Sequence, residues 1–149
     1  NRSRAYVAAQ GVGIAQGALE MAINHVKGRK QFGATLSSFQ IVQTRLAEMA
    51  TLTEAARNLV YKAASKLDEG DVQPMLISMA KWFAAEVGVK VVDESLQLHG
   101  GYGCLDEYDI SRFYRDAKIL EISEGVKDVQ KLFIAKQLLK GKGLKVLRG

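Results

Sequence analysis

The sequence predicts an all-α fold, an antiparallel four-helix bundle with one additional short helix, on three observations. First, only one proline, Pro74, occurs in 149 residues, where about seven would be usual. Proline lacks an amide donor and clashes with the preceding helical turn, so a chain nearly free of it can be helical almost throughout. Second, apolar residues recur every three or four positions through most of the chain. Third, the connections between these stretches are short, as between antiparallel neighbours in a bundle. No stretch reads convincingly as sheet.

In chain order, Val7, Ile14, Ala15, Ala18, Leu19, Ala22 and Val26 mark a helix over residues 2–27. Gly11, Gly13 and Gly17 lie within it. They invite a dinucleotide-binding reading, but no strand precedes them and the third glycine of G-x-G-x-x-G would fall on Gln16, so close helix packing is the better account. Residues 28–37 break the pattern as a loop. A long helix follows over residues 38–69, ~48 Å at 1.5 Å per residue, with Ile41, Leu46, Met49, Leu52, Ala56, Leu59, Ala63 and Leu67 as its apolar positions. Ser37 or Ser38 is the expected cap, and Gly70 suits its end. Pro74 opens a third helix to His99, where its missing amide costs nothing. The apolar face of that helix is broad enough to be buried on more than one side, which suggests self-association. Gly100, Gly101 and Gly103 end it, and a short helix over residues 109–120 and a last one over 125–140 complete the chain.

With 48% hydrophobic residues, a chain of this length hides roughly 68–70% of its unfolded surface on folding. Cys104 has no partner for an internal disulfide, and with only His25 and His99 beside it a zinc site is not expected. No apolar run approaches the ~20 residues of a membrane span, and no signal peptide is apparent. The chain does not begin with methionine and opens directly into helical pattern, so it is expected to be part of a longer protein. Residues 1–140 read as one domain and 141–149 as a basic tail. The net charge of +5 gathers in Lys136, Lys140, Lys142, Lys145 and Arg148, which read as a solvated tail rather than a nucleic-acid site.

Three breaks carry residues that a simple bundle does not need. Arg29-Lys30-Gln31-Phe32-Gly33 offers a guanidinium fork suited to phosphate beside an aromatic ring. Gln97-Leu98-His99-Gly100-Gly101-Tyr102-Gly103 brings glycines that let backbone approach a ligand. A helix cap and turn explain one or two of these glycines and leave the third unexplained. In Ile122-Ser123-Glu124-Gly125-Val126, the Glu124 carboxylate stands just before a helix, where it is either a cap or, in an apolar pocket, a general base.

In this order and separation, the three segments resemble the C-terminal helical domain of the acyl-CoA dehydrogenase family. Phe39-Gln40, Leu46-Ala47-Glu48-Met49 and Arg115-Asp116-Ala117-Lys118-Ile119 extend the match over about residues 1–140. The resemblance implies an FAD enzyme, usually a homotetramer, whose other domains lie outside this chain. It places Arg29 and Gln31 at the FAD diphosphate and Phe32 at the adenosine. Phe39, Gln40, Gln97, Gly100 and Gly101 add cofactor contacts, part of the set serving the adjacent subunit. Val126 and Asp128 fall at further cofactor-binding positions. Arg4 and Gly125 match positions near the acyl-CoA substrate, and Glu124 matches the base that removes the α-proton while hydride passes to flavin N5. The backbone amide at Glu124 would help stabilise enolate charge.

An electron-transfer flavoprotein is the implied electron acceptor. The implied location is the cytoplasm in a prokaryote or the mitochondrial matrix in a eukaryote. Some family members carry the base on the first helix, but this chain has no carboxylate there before Glu20. Ser123 stands where many members have tyrosine and Val126 where they have threonine, which points to an uncommon acyl group: branched, cyclic or otherwise bulky. The alternatives are a non-catalytic bundle that mediates assembly and a related flavoprotein acyl-CoA oxidase.

Overall fold

The computed structural model describes residues 1–141, 143 and 146. Five α-helices dominate these residues: α1 (Arg2–Gly28), α2 (Gln40–Asp68), α3 (Pro74–His99), α4 (Asp109–Leu120) and α5 (Lys127–Leu139). Contacts along their lengths fix the directions. Ser95 Oγ donates to the Ala18 carbonyl at 2.8 Å, and His25 stacks on His99, so α1 and α3 run parallel. Between them α2 runs the opposite way, because Arg45 pairs with Glu94 and Arg57 with Gln16. Helix α4 also opposes α1: Phe113 in its first half lies against Gly17, and Leu120 at its end meets Val7. The result is the expected antiparallel four-helix bundle with one further helix, but the short helix expected over 109–120 is α4, a bundle member, and α5 is the further helix, packed on α3. No helix among the described residues is long and apolar enough to cross a membrane.

The third helix is central. Its buried residues include Met75, Ile77, Ala84, Val87, Val91 and Leu98, and α1, α2, α4 and α5 all pack on it. Its broad apolar surface is thus covered within the chain and gives no reason to invoke a second copy. Small residues set its distance from α1, on which Ala8, Gly11, Ala15, Ala18 and Ala22 form one buried stripe. A Cβ at Gly11 would lie 2.5 Å from the Ala84 carbonyl oxygen. Gly13 packs against nothing, so the packing role belongs to Gly11 and Gly17 only.

Several local expectations are corrected. Ser37 and Ser38 do not cap α2: Phe39 occupies the cap position, and Ser38 Oγ donates instead to the Thr35 carbonyl at 2.7 Å. Ile41 is 66% exposed, and the buried face of α2 runs through Val42, Met49, Thr53, Ala56, Val60 and Ala63. Gly70 follows the α2 end in a left-handed conformation, as expected. The segment after α1 is a small antiparallel hairpin, not plain loop, in which β1 (Lys30–Gln31) pairs with β2 (Ala34–Thr35). Of the tail cations, Lys142, Lys145 and Arg148 lie outside the described residues.

Candidate functional site

Two groups of residues stand at opposite ends of the bundle. At the first end, the hairpin turns through Phe32 (φ 54°) and Gly33 (φ 78°). Positive φ at both central residues is the signature of a type I′ turn, which normally selects asparagine or glycine at the first position. Phenylalanine there is disfavoured backbone chemistry, and its ring is 93% exposed, edge-on to Phe39 with centroids 6.4 Å apart. The structure holds an aromatic ring out to solvent in a conformation that opposes its residue type.

Behind the hairpin lies a cavity of 370 Å³ lined by His25, Arg29, Gln31, Leu36, Gln97–Tyr102 and Leu105. Helix α1 and its C-cap deliver His25 and Arg29, β1 delivers Gln31, and the turn after β2 delivers Leu36. The end of α3 delivers Gln97–His99, and the segment following α3 delivers Gly100–Tyr102 and Leu105. The Arg29 guanidinium lies over the Tyr102 ring, 5.0 Å from its centre. Gly100 has φ 61° and ψ −141°, a region open essentially to glycine alone, and neither it nor Gly101 has an atom in the space a Cβ would take. Gly103 has a structural cause: a Cβ there would lie 2.8 Å from the Leu96 carbonyl oxygen. The cavity therefore gathers Arg29, Gln31, Gln97, Gly100 and Gly101. Phe32, Phe39 and Gln40 lie outside its lining.

His25 and His99, absent from the expected site, also line this cavity, stacked with centroids 4.2 Å apart. His99 Nδ1 donates to the Ser95 carbonyl at 2.7 Å. Burial holds His25 below its ordinary pKa, with the charges of His99 and Arg29 acting in the same direction. The unfolded chain then takes up this proton more readily than the folded one. Stability therefore falls as pH drops from the unfolded histidine value, near 6.5, toward the lower folded value. Urea unfolding midpoints between about pH 7.5 and 5.5 should decline less in His25→Gln than in the parent; equal slopes would contradict the assignment.

At the second end, the chain leaves α4 and turns through Glu124 (φ 53°) and Gly125 (φ 99°) into α5. Among the described residues Phe32 and Glu124 are the only non-glycine residues with positive φ. Glu124 is exposed here and is not the helix cap, which is Val126. Val126 is exposed, and Asp128 lies exposed in the first turn of α5. Arg4, from the start of α1, comes against Gly125, its Nε 4.0 Å from where a Cβ would sit.

Three further residues, outside the set expected from the sequence, join this end of the bundle. Lys81, on α3, is fully buried and its Nζ donates to the Gly125 carbonyl at 2.8 Å. Gln130, on α5, is buried and its Nε2 reaches the same carbonyl at 3.3 Å. Glu121 is 4% exposed and accepts from Lys118 and from Lys127, the latter at 2.9 Å. Burial pushes the Glu121 carboxyl up, but those two lysines outweigh it and hold it below its ordinary value. The one available sequence signal for Lys81 was a charge inside the apolar run Met79–Ala84.

The two ends are well separated. From Arg4 to His25 along α1 is ~30 Å, and from Lys81 to Gln97 along α3 is ~24 Å, at 1.5 Å per residue.

Residues 1–139 match the family described as acyl-CoA dehydrogenase, C-terminal domain. The chain is 48% identical over 134 residues to a 3-(aryl)acrylate reductase of Clostridium sporogenes, covering 90% of this chain and 36% of that protein. It is 41% identical over 138 residues to a cyclohexane-1-carbonyl-CoA dehydrogenase of Geobacter metallireducens, covering 93% of this chain and 36% of that one. Among solved structures, butyryl-CoA dehydrogenase from Megasphaera elsdenii superposes with a TM-score of 0.90 at 46% identity, over 91% of this chain and 36% of that one. The chain thus spans about a third of the length of the relatives it matches.

Proposed function

The chain belongs to the acyl-CoA dehydrogenase family, as a C-terminal helical domain, and we propose that the full-length protein is an FAD-dependent enzyme acting on the α,β-bond of an acyl-CoA thioester. The observation that carries this reading is the placement of the two left-handed non-glycine residues. Phe32 and Glu124 stand at the two ends of the bundle, at the positions where the family resemblance puts a cofactor contact and the base. Such strain persists where surrounding structure over-determines it, characteristically at functional sites.

The residues at the first end fit the dinucleotide. Arg29 provides a donor fork for the diphosphate, with amide side chains from Gln31 and Gln97 beside it. The Gly100-Gly101 backbone is open to close approach, and the exposed Phe32 ring offers a stacking surface. Phe39 and Gln40 lie next to this end and would add contacts. At the other end Glu124 takes the α-proton, its own backbone amide contributes to holding the thioester carbonyl, and Arg4 and Gly125 bound the substrate. Val126 and Asp128, exposed at the start of α5, would add cofactor contacts. Bound flavin supplies hydride acceptance.

A ligand held at the Arg29 cavity lies some 25–30 Å along the helices from Glu124 of the same chain. That spacing supports sharing of cofactor contacts between subunits of a homotetramer. An electron-transfer flavoprotein is the proposed redox partner. One similar protein, from Acetobacterium woodii, is named as a subunit of a caffeyl-CoA reductase-Etf complex.

The full-length protein is expected to purify with FAD and to lose its flavin absorbance anaerobically when given a matching saturated acyl-CoA. Branched, cyclic and aryl-substituted chains should be favoured in the panel, given Ser123 and Val126. Because two relatives are named reductases, the reduced protein should also be mixed with the corresponding enoyl-CoA, and faster reoxidation in that direction would assign a reductase. Absence of flavin from a stable oligomer would leave an assembly module, and rapid reoxidation by oxygen with peroxide release would leave an oxidase.

A further inference from the structure

Lys81 lies in the first third of the central helix with no exposed surface. An ammonium group there is strongly unfavourable unless it is hydrogen-bonded or paired. Among the described residues it forms no ion pair within 4.0 Å; its hydrogen bond goes to a backbone carbonyl 44 residues away, that of Gly125. The nearby carboxylate Glu121 is already taken by Lys118 and Lys127. Gln130 Nε2 reaches the same Gly125 oxygen, while its Oε1 is buried without a hydrogen bond. A second cation, Arg4, approaches Gly125 from α1. The turn is closed behind by the Lys127 amide, which donates to the Glu121 carbonyl at 3.0 Å. Buried donors from two helices thus converge on one carbonyl oxygen, and that oxygen belongs to the residue after Glu124.

We propose that Lys81 is a positioning residue for Glu124: its buried ammonium, assisted by the Gln130 amide, clamps the Gly125 carbonyl and holds the Glu124–Gly125 turn in its left-handed conformation. This rests on the assignment of Glu124 as the base. The chemistry favours a clamp over a space-filling core residue. A methionine fills the same volume without the cost of a buried charge, so the retained ammonium implies use of its donors. Burial and the charge of Arg4 lower the Lys81 pKa, and Glu121 and Glu124 oppose them. The clamp also explains why Glu124 tolerates φ 53°. An unclamped turn would relax toward negative φ and re-aim the carboxylate, and misplacement of a reacting group by 1 Å can cost ~10²-fold in rate.

The test uses the full-length flavoenzyme with its best acyl-CoA. Lys81→Met should retain flavin and assembly, reduce kcat at least tenfold, and leave KM within about threefold, because the substrate contacts remain while the base is misaimed. Hydrogen exchange of the peptide containing the Lys127 amide should accelerate at least tenfold as the turn opens. Gln130→Met should give a smaller fall in kcat with the same unchanged KM, and it tests the clamp if Lys81→Met does not fold. A kcat within twofold of the parent in Lys81→Met, or in Gln130→Met should the first not fold, overturns the proposal. So does a loss of kcat that only tracks loss of flavin. Glu124→Gln run alongside separates the two assignments. If it reduces flavin normally, the base assignment fails. If it is inactive while Lys81→Met is normal, only the clamp fails.

Discussion

Replacing Gly11 with alanine lowers the stability of the folded chain by about 2 kcal/mol, whereas the same replacement at Gly13 raises it by roughly 0.5–1 kcal/mol. The two glycines are two residues apart on one helix, yet they face different surroundings. At Gly11 the new Cβ would lie 2.5 Å from the oxygen and 2.7 Å from the carbon of the Ala84 carbonyl. Both sides of that contact are helix backbone, so no side-chain rotation relieves it. The α1 and α3 axes must move apart, loosening the small-residue stripe from Ala8 to Ala22. Because backbone meets backbone, the overlap falls at the upper end of the usual overpacking cost, about 3 kcal/mol, which exceeds the ~1 kcal/mol gained in helix propensity. Gly13 is exposed with nothing within 4 Å, so only the gain remains. At about 2–4 °C per kcal/mol for a chain of this size, thermal midpoints of the two variants should differ by roughly 5–10 °C. A Gly11→Ala protein as stable as Gly13→Ala would show that the close helix approach is not a constraint.

The contrast between these glycines shows what sequence carries and what it does not. The helices are legible because burial in them follows one face, and Pro74 and Gly70 mark boundaries by backbone chemistry alone. A packing role is legible for Gly11, but the same reading extends it to Gly13, which packs against nothing. Only the folded helix separates them: Gly11 shares the stripe of Ala8, Ala15, Ala18 and Ala22, and Gly13 falls off it. The hairpin was not. Strands of two residues are too short to show alternation, and a Phe-Gly turn lacks the Asn-Gly signature. Ile41 misleads for a related reason: at the start of α2 the buried face is already set by Val42 and Met49.

At the two ends of the bundle, residues contiguous in sequence were the readable ones. Arg29 with Gln31, and Gln97 with Gly100 and Gly101, stand out as local departures from helical pattern, and the fold brings both segments to one cavity. The Lys81–Gly125 pairing spans 44 residues and two elements. No local pattern encodes it, since a lysine in an amphipathic helix is ordinarily at the surface. The pairing of His25 with His99 is hidden for the same reason. Each is unremarkable in its own segment, and they become a stacked pair only when α1 and α3 run parallel.

Glu124→Gln is expected to reduce the rate of flavin reduction in the full-length protein by about 10²–10⁴-fold. Glutamine keeps the shape and hydrogen-bonding reach of the side chain and removes its capacity to accept the α-proton. Glu124 is exposed in this domain, so the substitution should leave the melting temperature and flavin content unchanged. A second variant draws on the backbone. Glu124 sits at φ 53°, a conformation that costs a non-glycine residue of order 1–3 kcal/mol and glycine little. Glu124→Gly should therefore be as inactive as Glu124→Gln yet more stable than the parent by about 1 kcal/mol, read as a higher denaturation midpoint. Opposite movement of activity and stability is what a strained functional residue predicts. If glycine instead destabilises the protein, the turn is held by the glutamate side chain itself, and the clamp on the Gly125 carbonyl is not what maintains it.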